Sequence, residues 1–217
     1  AAVAERWAET TGVRIVDGIG STEMLHIFIA APAEAGRFGS VGTPVPGYEA
    51  MVVDADMRPV ATNAIGRLAV RGPTGCRYLD DPRQADYVVD GWNVTGDSFT
   101  VDEDGYFWFA ARNDDLIVSS GYNISPLEVE GALLEHAAVA ECAVVGSPDE
   151  QRGHVVKAYV VPAEGVGVDD ALTAALQDHV KARIAPYKYP RRIEFLDALP
   201  RTATGKVRRG ELRAREA

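Results

Sequence analysis

RNDDLIVSSGYNISPLEVE, residues 112–130, changes character three times in 19 residues. The polar run Arg112, Asn113, Asp114, Asp115 cuts off the aromatic strand GYFWFAA that precedes it, which is how a domain boundary reads. LIVSS then reads as a strand and Gly121 as a turn. Ser125 stands before Pro126 with Glu128 three residues on, which is an N-cap, a proline at the first helical position and a capping box. The stretch therefore predicts the end of one domain near residue 112 and, from 113, the strand and helix that open another.

Working outward, the downstream chain continues as helix SPLEVEGALLEH, strands VAECAVVG and HVVKAYVVP, helix DALTAALQDHVKARI and strand RRIEFLD. Asp169 and Asp170 open the second helix, where carboxylates oppose the positive end of its dipole. This is an α+β unit of about a hundred residues, enough to fold alone. Upstream, residues 42–110 are β-rich: YEAMVVDADMRPVA and GRLAVRGP alternate apolar residues in their arms, with Asp and Pro at the turns. Before them VRIVDGIG and LHIFIAA read as short strands flanking the loop Gly18 to Glu23. AAVAERWAETTG reads as an amphipathic helix with no N-cap ahead of it, so the expectation is of an upstream segment outside this chain. The predicted fold class is α+β: the end of a large domain with a β-rich subdomain, residues 1–112, then a small mobile α+β domain, 113–217.

Bulk properties narrow the functional classes. The 217 residues carry 32 acidic against 22 basic side chains, a net charge of −10, with basic residues concentrated only from Lys206 to Arg215. Nucleic acid is not an expected partner of such a chain. Cys76 and Cys142 share no metal-ligand spacing and read as free thiols of a reducing compartment. No apolar run approaches the roughly 18 residues of a membrane span. The expected location is cytoplasmic, with no membrane partner.

Three clusters are more polar and glycine-rich than their surroundings require. In DGIGSTE, residues 17–23, two glycines free the backbone to approach a ligand, and Thr22 and Glu23 offer a hydroxyl and a carboxylate to a phosphate and its magnesium. A tight turn between strands would use the same residues. In Thr95-Gly96-Asp97 the carboxylate suits a sugar diol, although Gly-Asp is also ordinary turn chemistry. In PRTATGKVRRGELR, residues 200–213, Lys206 follows a flexible run between a strand and a helix, where a solvated lysine is the common case.

Taken in order, DGIGSTE, GRLAVRGP, TGD, RNDDLIVSSGYNISPLEVE and PRTATGK resemble the signature of the adenylate-forming superfamily of acyl-CoA synthetases, across essentially the whole chain. The resemblance implies that an acid is joined to AMP with loss of pyrophosphate and then passed to the thiol of coenzyme A, so ATP, Mg2+ and coenzyme A are the expected cofactors and co-substrates. Carried over by position, Asp17 would lie at the adenine, Gly18 beside it in the nucleotide-binding loop, Thr22 near the phosphates and Glu23 at magnesium. The family often has an aromatic residue where this chain has Ile19. Asp97 and Arg112 would hold the ribose hydroxyls, and Lys206 would be the catalytic lysine of adenylation. The second domain would pivot at Asp114, and Ser119, Ser120 and Gly121 would line the passage for coenzyme A.

STEMLHIFIA, TPVPGYEA and DGWNVTGDSFTVDEDGYFWFAARNDD look most like the benzoate and 2-aminobenzoate branch, which implies a small aromatic carboxylic acid as substrate and Met24, Leu25 and His26 at the acid pocket. His26 as a packed histidine is an equal alternative. The family's phosphate-gripping loop lies upstream of DGIGSTE and is not in this chain, so the chain alone is expected to be inactive. An adenylation domain, a short- or medium-chain synthetase and a non-catalytic binding module are the alternatives. A lysine acetyltransferase acting on Lys206 is a further expected partner, because enzymes of the family are often silenced by acylation of the matching lysine.

Overall fold

In the computed structural model, which describes residues 2–32, 34 and 36–216, the chain divides into two compact units, 1–113 and 114–217. Among the described residues no helix is long and apolar enough to cross a membrane.

The first unit opens with α1 (Ala2–Thr11), which carries the expected helix; Ala1 of that expectation lies outside the described residues. A small antiparallel sheet follows, β1 (Gly18–Gly20), β2 (Ile27–Ala30) and β3 (Thr43–Pro44) in that order. The expected strand VRIVDGIG is thus short. Val13, Ile15 and Val16 are exposed, and no strand pairs with them among the described residues.

A second sheet has β4 (Glu49–Val53) beside β5 (Gly66–Arg71) and β5 beside β7 (Trp92–Val101); β7 also pairs with β6 (Val88–Val89) and β8 (Phe107–Arg112). One turn of helix, α2 (Gln84–Tyr87), leads into β6. Alternation along these strands sends Val52, Leu68, Val70, Phe99 and Phe107 inward, where they meet Phe28 and Ile29 of β2 and Met24 of the turn before it. At about 25 cal/mol per Å² of apolar surface removed from water, each such side chain contributes roughly 1.5–3 kcal/mol.

The second unit is layered. A five-stranded sheet runs β10 (Tyr122–Ile124), β9 (Ile117–Ser119), β12 (Gly153–Pro162), β11 (Val139–Asp149), and β13 (Arg192–Phe195) joins β12 in parallel. The period of two sorts the side chains: Cys142, Val144, Val156, Ala158 and Val160 face one side, while Ala143, Val145 and Tyr159 face the other. On the first side lie α3 (Pro126–Leu134) and α4 (Asp170–Arg183), through Val129, Leu133, Leu176 and Val180. On the other, Leu199 and Leu212 of the closing segment and α5 (Arg209–Ala214) cover the sheet.

The caps are those the sequence spells. Ser125 accepts a hydrogen bond from the Glu128 amide at 3.3 Å and Asp169 accepts one from Leu172 at 2.8 Å. Glu130, at the end of the deciding stretch, is buried and fastens the two sides of the sheet. Its carboxylate accepts from the Val144 amide at 2.8 Å and takes both oxygens to the Arg209 guanidinium at 2.7 Å. Burial pushes its carboxyl above the ordinary range, against the opposing pull of Arg209.

Candidate functional site

Register places the most polar constellation of the first unit. Between the pairs Arg67↔Ser98 and Ala69↔Val94, β5 advances two residues while β7 advances four, so Thr95, Gly96 and Asp97 bow out of the ladder. On the other side of β7, Asp97 is directly opposite Arg112 of β8, and the Arg112 Nε lies 3.4 Å from Asp97 Oδ1. Gly96 makes this approach fit: a Cβ there would stand 2.7 Å from Arg112 Nη2.

The bulge forms one wall of an open cleft of ≈ 400 Å³. Ser21 and Glu23 come from the loop after β1, Tyr78, Arg83, Asp86 and Tyr87 from the segment around α2, and Val94 to Asp97 and Arg112 from the sheet. That volume is ordinary for a small-molecule site. Glu23 accepts a 2.7 Å hydrogen bond from the Tyr78 hydroxyl, and this bond is the main reason its carboxyl titrates below the usual range. Tyr78 is in turn held by its amide, which donates to Gln84 Oε1 at 2.7 Å. The Tyr87 hydroxyl is buried and makes no direct hydrogen bond at normal distance; Ser21 is its polar neighbour. Burial first, then the nearby Glu23 charge, raise its pKa.

Glu23, Asp97 and Arg112, read from three separate motifs, therefore share one cleft. Other candidates do not join them. Asp17 lines a separate recess with Arg14, Ile15 and Phe38, and its carboxylate caps the Gly18 amide at 2.8 Å. Gly18 and Gly20 were expected to open the backbone to a ligand; instead a Cβ at Gly18 would stand 2.9 Å from the Ile29 carbonyl and one at Gly20 2.5 Å from the His26 carbonyl, so what both admit is the backbone of the β2 side. Thr22 is exposed, and its carbonyl accepts from the Leu25 amide in a turn.

Met24 is corrected from the acid pocket to the core, because its side chain is 0% exposed among Phe28, Ile29 and their neighbours. Leu25 is 71% exposed at φ 67°. His26 is exposed, 3.3 Å from the Tyr48 hydroxyl, which is 2.6 Å from Thr74 Oγ1, which donates to the Met24 carbonyl at 2.7 Å. Since Thr74 donates onward, Tyr48 donates to Thr74, which leaves the Tyr48 oxygen to accept a hydrogen bond from His26 Nε2.

In the second unit Ser120 and Gly121, at φ 49° and 81°, form the two-residue turn between β9 and β10, a type I′ geometry. Ser119 is buried just before it, and the Ser120 amide donates to the Arg152 carbonyl at 3.0 Å. Lys206 is exposed on a tight turn. Its amide donates to Thr202 Oγ1 at 3.1 Å and its carbonyl accepts from the Thr202 amide at 2.8 Å. Its ammonium pairs with no carboxylate among the described residues, so the backbone is fixed and the charge is available. Asp114, at the start of the unit, is exposed and held by Arg213.

Two family models match the chain: AMP-binding enzyme over residues 1–78 and AMP-binding enzyme C-terminal domain over residues 128–206. The chain belongs to the AMP-binding enzyme family. It is 45% identical to benzoate–CoA ligase of Thauera aromatica over 215 residues, 98% of this chain and 41% of that protein. It is 44% identical to the mitochondrial acyl-coenzyme A synthetase ACSM4 of Mus musculus over 223 residues, 99% of this chain and 38% of that protein. The crystal structure of the anthranilate CoA ligase AuaEII in complex with anthranoyl-AMP superposes at a TM-score of 0.85 with 41% identity, covering 99% of this chain and 42% of that one. This member of the AMP-binding enzymes thus spans about two-fifths of the length of the curated relatives it matches, which are named as a benzoate–CoA ligase and an acyl-coenzyme A synthetase.

A magnesium ion is implied by that family. Among the described residues no group of three His, Cys, Asp or Glu converges as a cage. Glu23 offers one carboxylate, kept ionised by Tyr78. A single carboxylate suits an ion that keeps its waters and arrives with a nucleotide's phosphates, so the donor set fits Mg2+ in that form.

Sequence reasoning missed Tyr78, Arg83, Asp86 and Tyr87. They lie more than 50 residues from Glu23, within RYLDDPRQADY, whose Asp, Asp and Pro read only as turn chemistry. Tyr78 lies ahead of the single helical turn that Tyr87 ends, and that spacing carries no periodic signal.

Proposed function

We propose that the chain supplies the nucleotide cleft and the mobile lysine-bearing domain of an ATP-dependent acid–CoA ligase acting on a benzoate-type aromatic acid. The observation that supports this best is the meeting of Glu23, Asp97 and Arg112 in one cleft. In this reading Asp97 accepts hydrogen bonds from the ribose hydroxyls and Arg112 donates to them, with its stem placed by the β7–β8 register. Glu23 holds the magnesium, which when bound supplies charge neutralisation at the phosphates. Thr22 faces the phosphates from its exposed turn, and Asp17 serves the adenine from its own recess.

The acid's carboxylate oxygen attacks the α-phosphorus of ATP, forming the acyl-adenylate as pyrophosphate leaves. The Lys206 ammonium stabilises the negative charge that shifts toward pyrophosphate, an interaction realised most strongly in the transition state. The sulfur of coenzyme A then attacks the acyl carbonyl carbon; AMP leaves with the bonding electrons and the thiol proton passes to solvent. Ser119, Ser120 and Gly121 are proposed to line the thiol's approach, where the open side of Gly121 leaves room. The swivel near Asp114 is proposed to alternate these two faces of the second unit.

The aromatic acid is supported by the names of the benzoate–CoA and anthranilate CoA ligases, with Leu25 and His26 as its contacts in this chain. A second reading, an aliphatic acyl-CoA synthetase, is supported by the 44% identity to ACSM4. The unpaired Cys76 and Cys142 favour a reducing compartment such as the cytoplasm, and the exposed Lys206 suits a lysine acetyltransferase.

The test uses the full-length enzyme with ATP, coenzyme A and either benzoate, 2-aminobenzoate or octanoate, reading pyrophosphate exchange and thioester formation. Benzoate-class thioester that disappears in Lys206→Ala is the expected result. Octanoyl thioester alone would move the assignment to the second reading, and no exchange with any acid would overturn both.

A further inference from the structure

The turn that carries Lys206 is tied to the sheet of its own unit by an arginine side chain. Its legs rest on apolar contacts, with Leu199 buried beneath the closing segment and Val207 packed beside it. Arg201 pairs across the hairpin with Val207, and the Arg208 amide donates to the Pro200 carbonyl at 2.8 Å. The tip, Ala203 to Lys206, is exposed. Among the described residues it bonds largely within itself: the Gly205 amide donates to the Thr202 carbonyl at 2.9 Å, and the hydroxyls of Thr202 and Thr204 are 3.0 Å apart. Internal bonds fix the shape of a turn and leave its direction free.

Arg201 supplies the direction. Its Nη2 lies 2.6 Å from Oε2 of Glu141 on β11, and its Nη1 donates to the Gly205 carbonyl, also at 2.6 Å. By alternation Glu141 shares the face of Ala143 and Val145, which the closing segment covers. The Gly205 carbonyl belongs to the peptide whose amide is that of Lys206, and this amide donates to Thr202 Oγ1 at 3.1 Å. One planar peptide is thus held at both ends, its oxygen from the sheet and its nitrogen from within the turn. The Lys206 Cα hangs from that plane. Gly205 itself sits at φ 85°, which glycine adopts without strain.

We propose that Arg201 is a positioning residue for adenylation, which aims Lys206 by bracing the preceding peptide against Glu141 and acts only through the lysine. An arginine suits the role because one planar fork presents a nitrogen to a carbonyl and another to a carboxylate at once, which an ammonium does not. The two side chains of the pair are 44% and 45% exposed, so it adds little to global stability. What it restricts is the lysine's direction, and a misplacement of about 1 Å at a reacting centre costs on the order of a hundredfold in rate. The consequence for catalysis rests on the ligase reading; the bracing of the turn does not.

The test uses the full-length enzyme and separates the two half-reactions. Pyrophosphate exchange calls on Lys206; transfer from supplied benzoyl-adenylate to coenzyme A does not, because no pyrophosphate departs in that step. Octanoyl-adenylate replaces it if only octanoate supports exchange. Arg201→Ala is expected to lower exchange roughly ten- to a hundredfold, while transfer stays within about twofold and Tm within about 2 °C. Glu141→Ala, which frees the far end of the fork, should lower exchange in the same direction, with the double variant no worse than Arg201→Ala alone. It carries the test if Arg201→Ala fails to fold. Unchanged exchange in the folded variant, or exchange and transfer falling together, overturns the proposal. Amide deuterium uptake across residues 200–208, read by mass spectrometry, keeps the proposal apart from the ligase reading and should quicken in Arg201→Ala. If Lys206→Ala retains exchange, or the parent shows none with any acid, the ligase reading fails; faster uptake in Arg201→Ala would then still support the brace, and unchanged uptake would sink it too.

Discussion

Gly96→Ala separates a nucleotide-binding role of Arg112 from a structural one. The added methyl would stand 2.7 Å from Arg112 Nη2 and 3.3 Å from Cζ, so the guanidinium tip has to retreat by roughly 0.7 Å to reach ordinary contact. What moves is the end of a flexible side chain that is 61% exposed, and its pair with Asp97 is already long at 3.4 Å. Exposed pairs of this kind contribute about 0–1 kcal/mol. The fold should therefore lose no more than about 0.5 kcal/mol, a fall of about 2–4 °C in Tm for a unit of this size. If Arg112 donates to a bound ribose, the same displacement removes a hydrogen bond to a charged group, about 1.5–3 kcal/mol, and weakens binding about ten- to a hundredfold. Calorimetric titration with AMP and with ATP, beside a melting curve, reads both quantities. Unchanged affinity at unchanged Tm would refute the role given to Arg112. A large fall in Tm would show that the methyl meets the backbone of the bulge and not the side chain.

Three further outcomes are expected. Ser125→Ala removes the cap of α3 and should cost the second unit about 1 kcal/mol, or about 4–8 °C in Tm by scanning calorimetry; no change would mean that the 3.3 Å bond is not formed in solution. Glu23 titrates low because Tyr78 donates to it, so its contribution to stability is present above the unfolded-state pKa and is lost as pH falls through the lower folded value. Tyr78→Phe should raise the Glu23 titration seen by carbon NMR and shrink the acid-side loss of stability, whereas an unmoved titration would remove Tyr78 as the cause. The Cys142 thiol, pushed up to about 12 by burial, should resist a thiol reagent at pH 8 in the native protein and react only in denaturant, while the half-buried Cys76 is modified at once.

Local chemistry made much of the second unit legible. Ser125 and Asp169 announce helix starts through side chains that bond the amide three residues on, so no distant partner is needed to read them. The alternation of VAECAVVG gives both faces of β11 in the same way. In the first unit the decisive relations are long-range. Asp97 could be proposed as a diol acceptor from Thr-Gly-Asp alone, but its exit from the ladder depends on how β5 counts against β7. Glu23 and Tyr78 meet across 55 positions, a distance no local pattern encodes. Met24 was set at the acid pocket by resemblance, as part of the stretch after Glu23, and a resemblance carries a position along the chain, not the direction of its side chain. The turn reverses within one residue, and the side chain after Glu23 points into the core. The strand expected at Val13 to Val16 shows the converse: β-branched residues supply propensity, but a strand also needs a partner to bond.

The turn at Ser120 and Gly121 has a practical implication for protein engineering. Both residues sit at positive φ, which glycine accepts freely and asparagine tolerates, while serine is strained there. A selection for heat resistance would be drawn to Ser120→Asn or Ser120→Gly as an easy gain. That same tip is where coenzyme A is proposed to pass, so thermostable variants recovered from such a selection should be screened for thioester formation separately from adenylation, because the two traits compete for one residue.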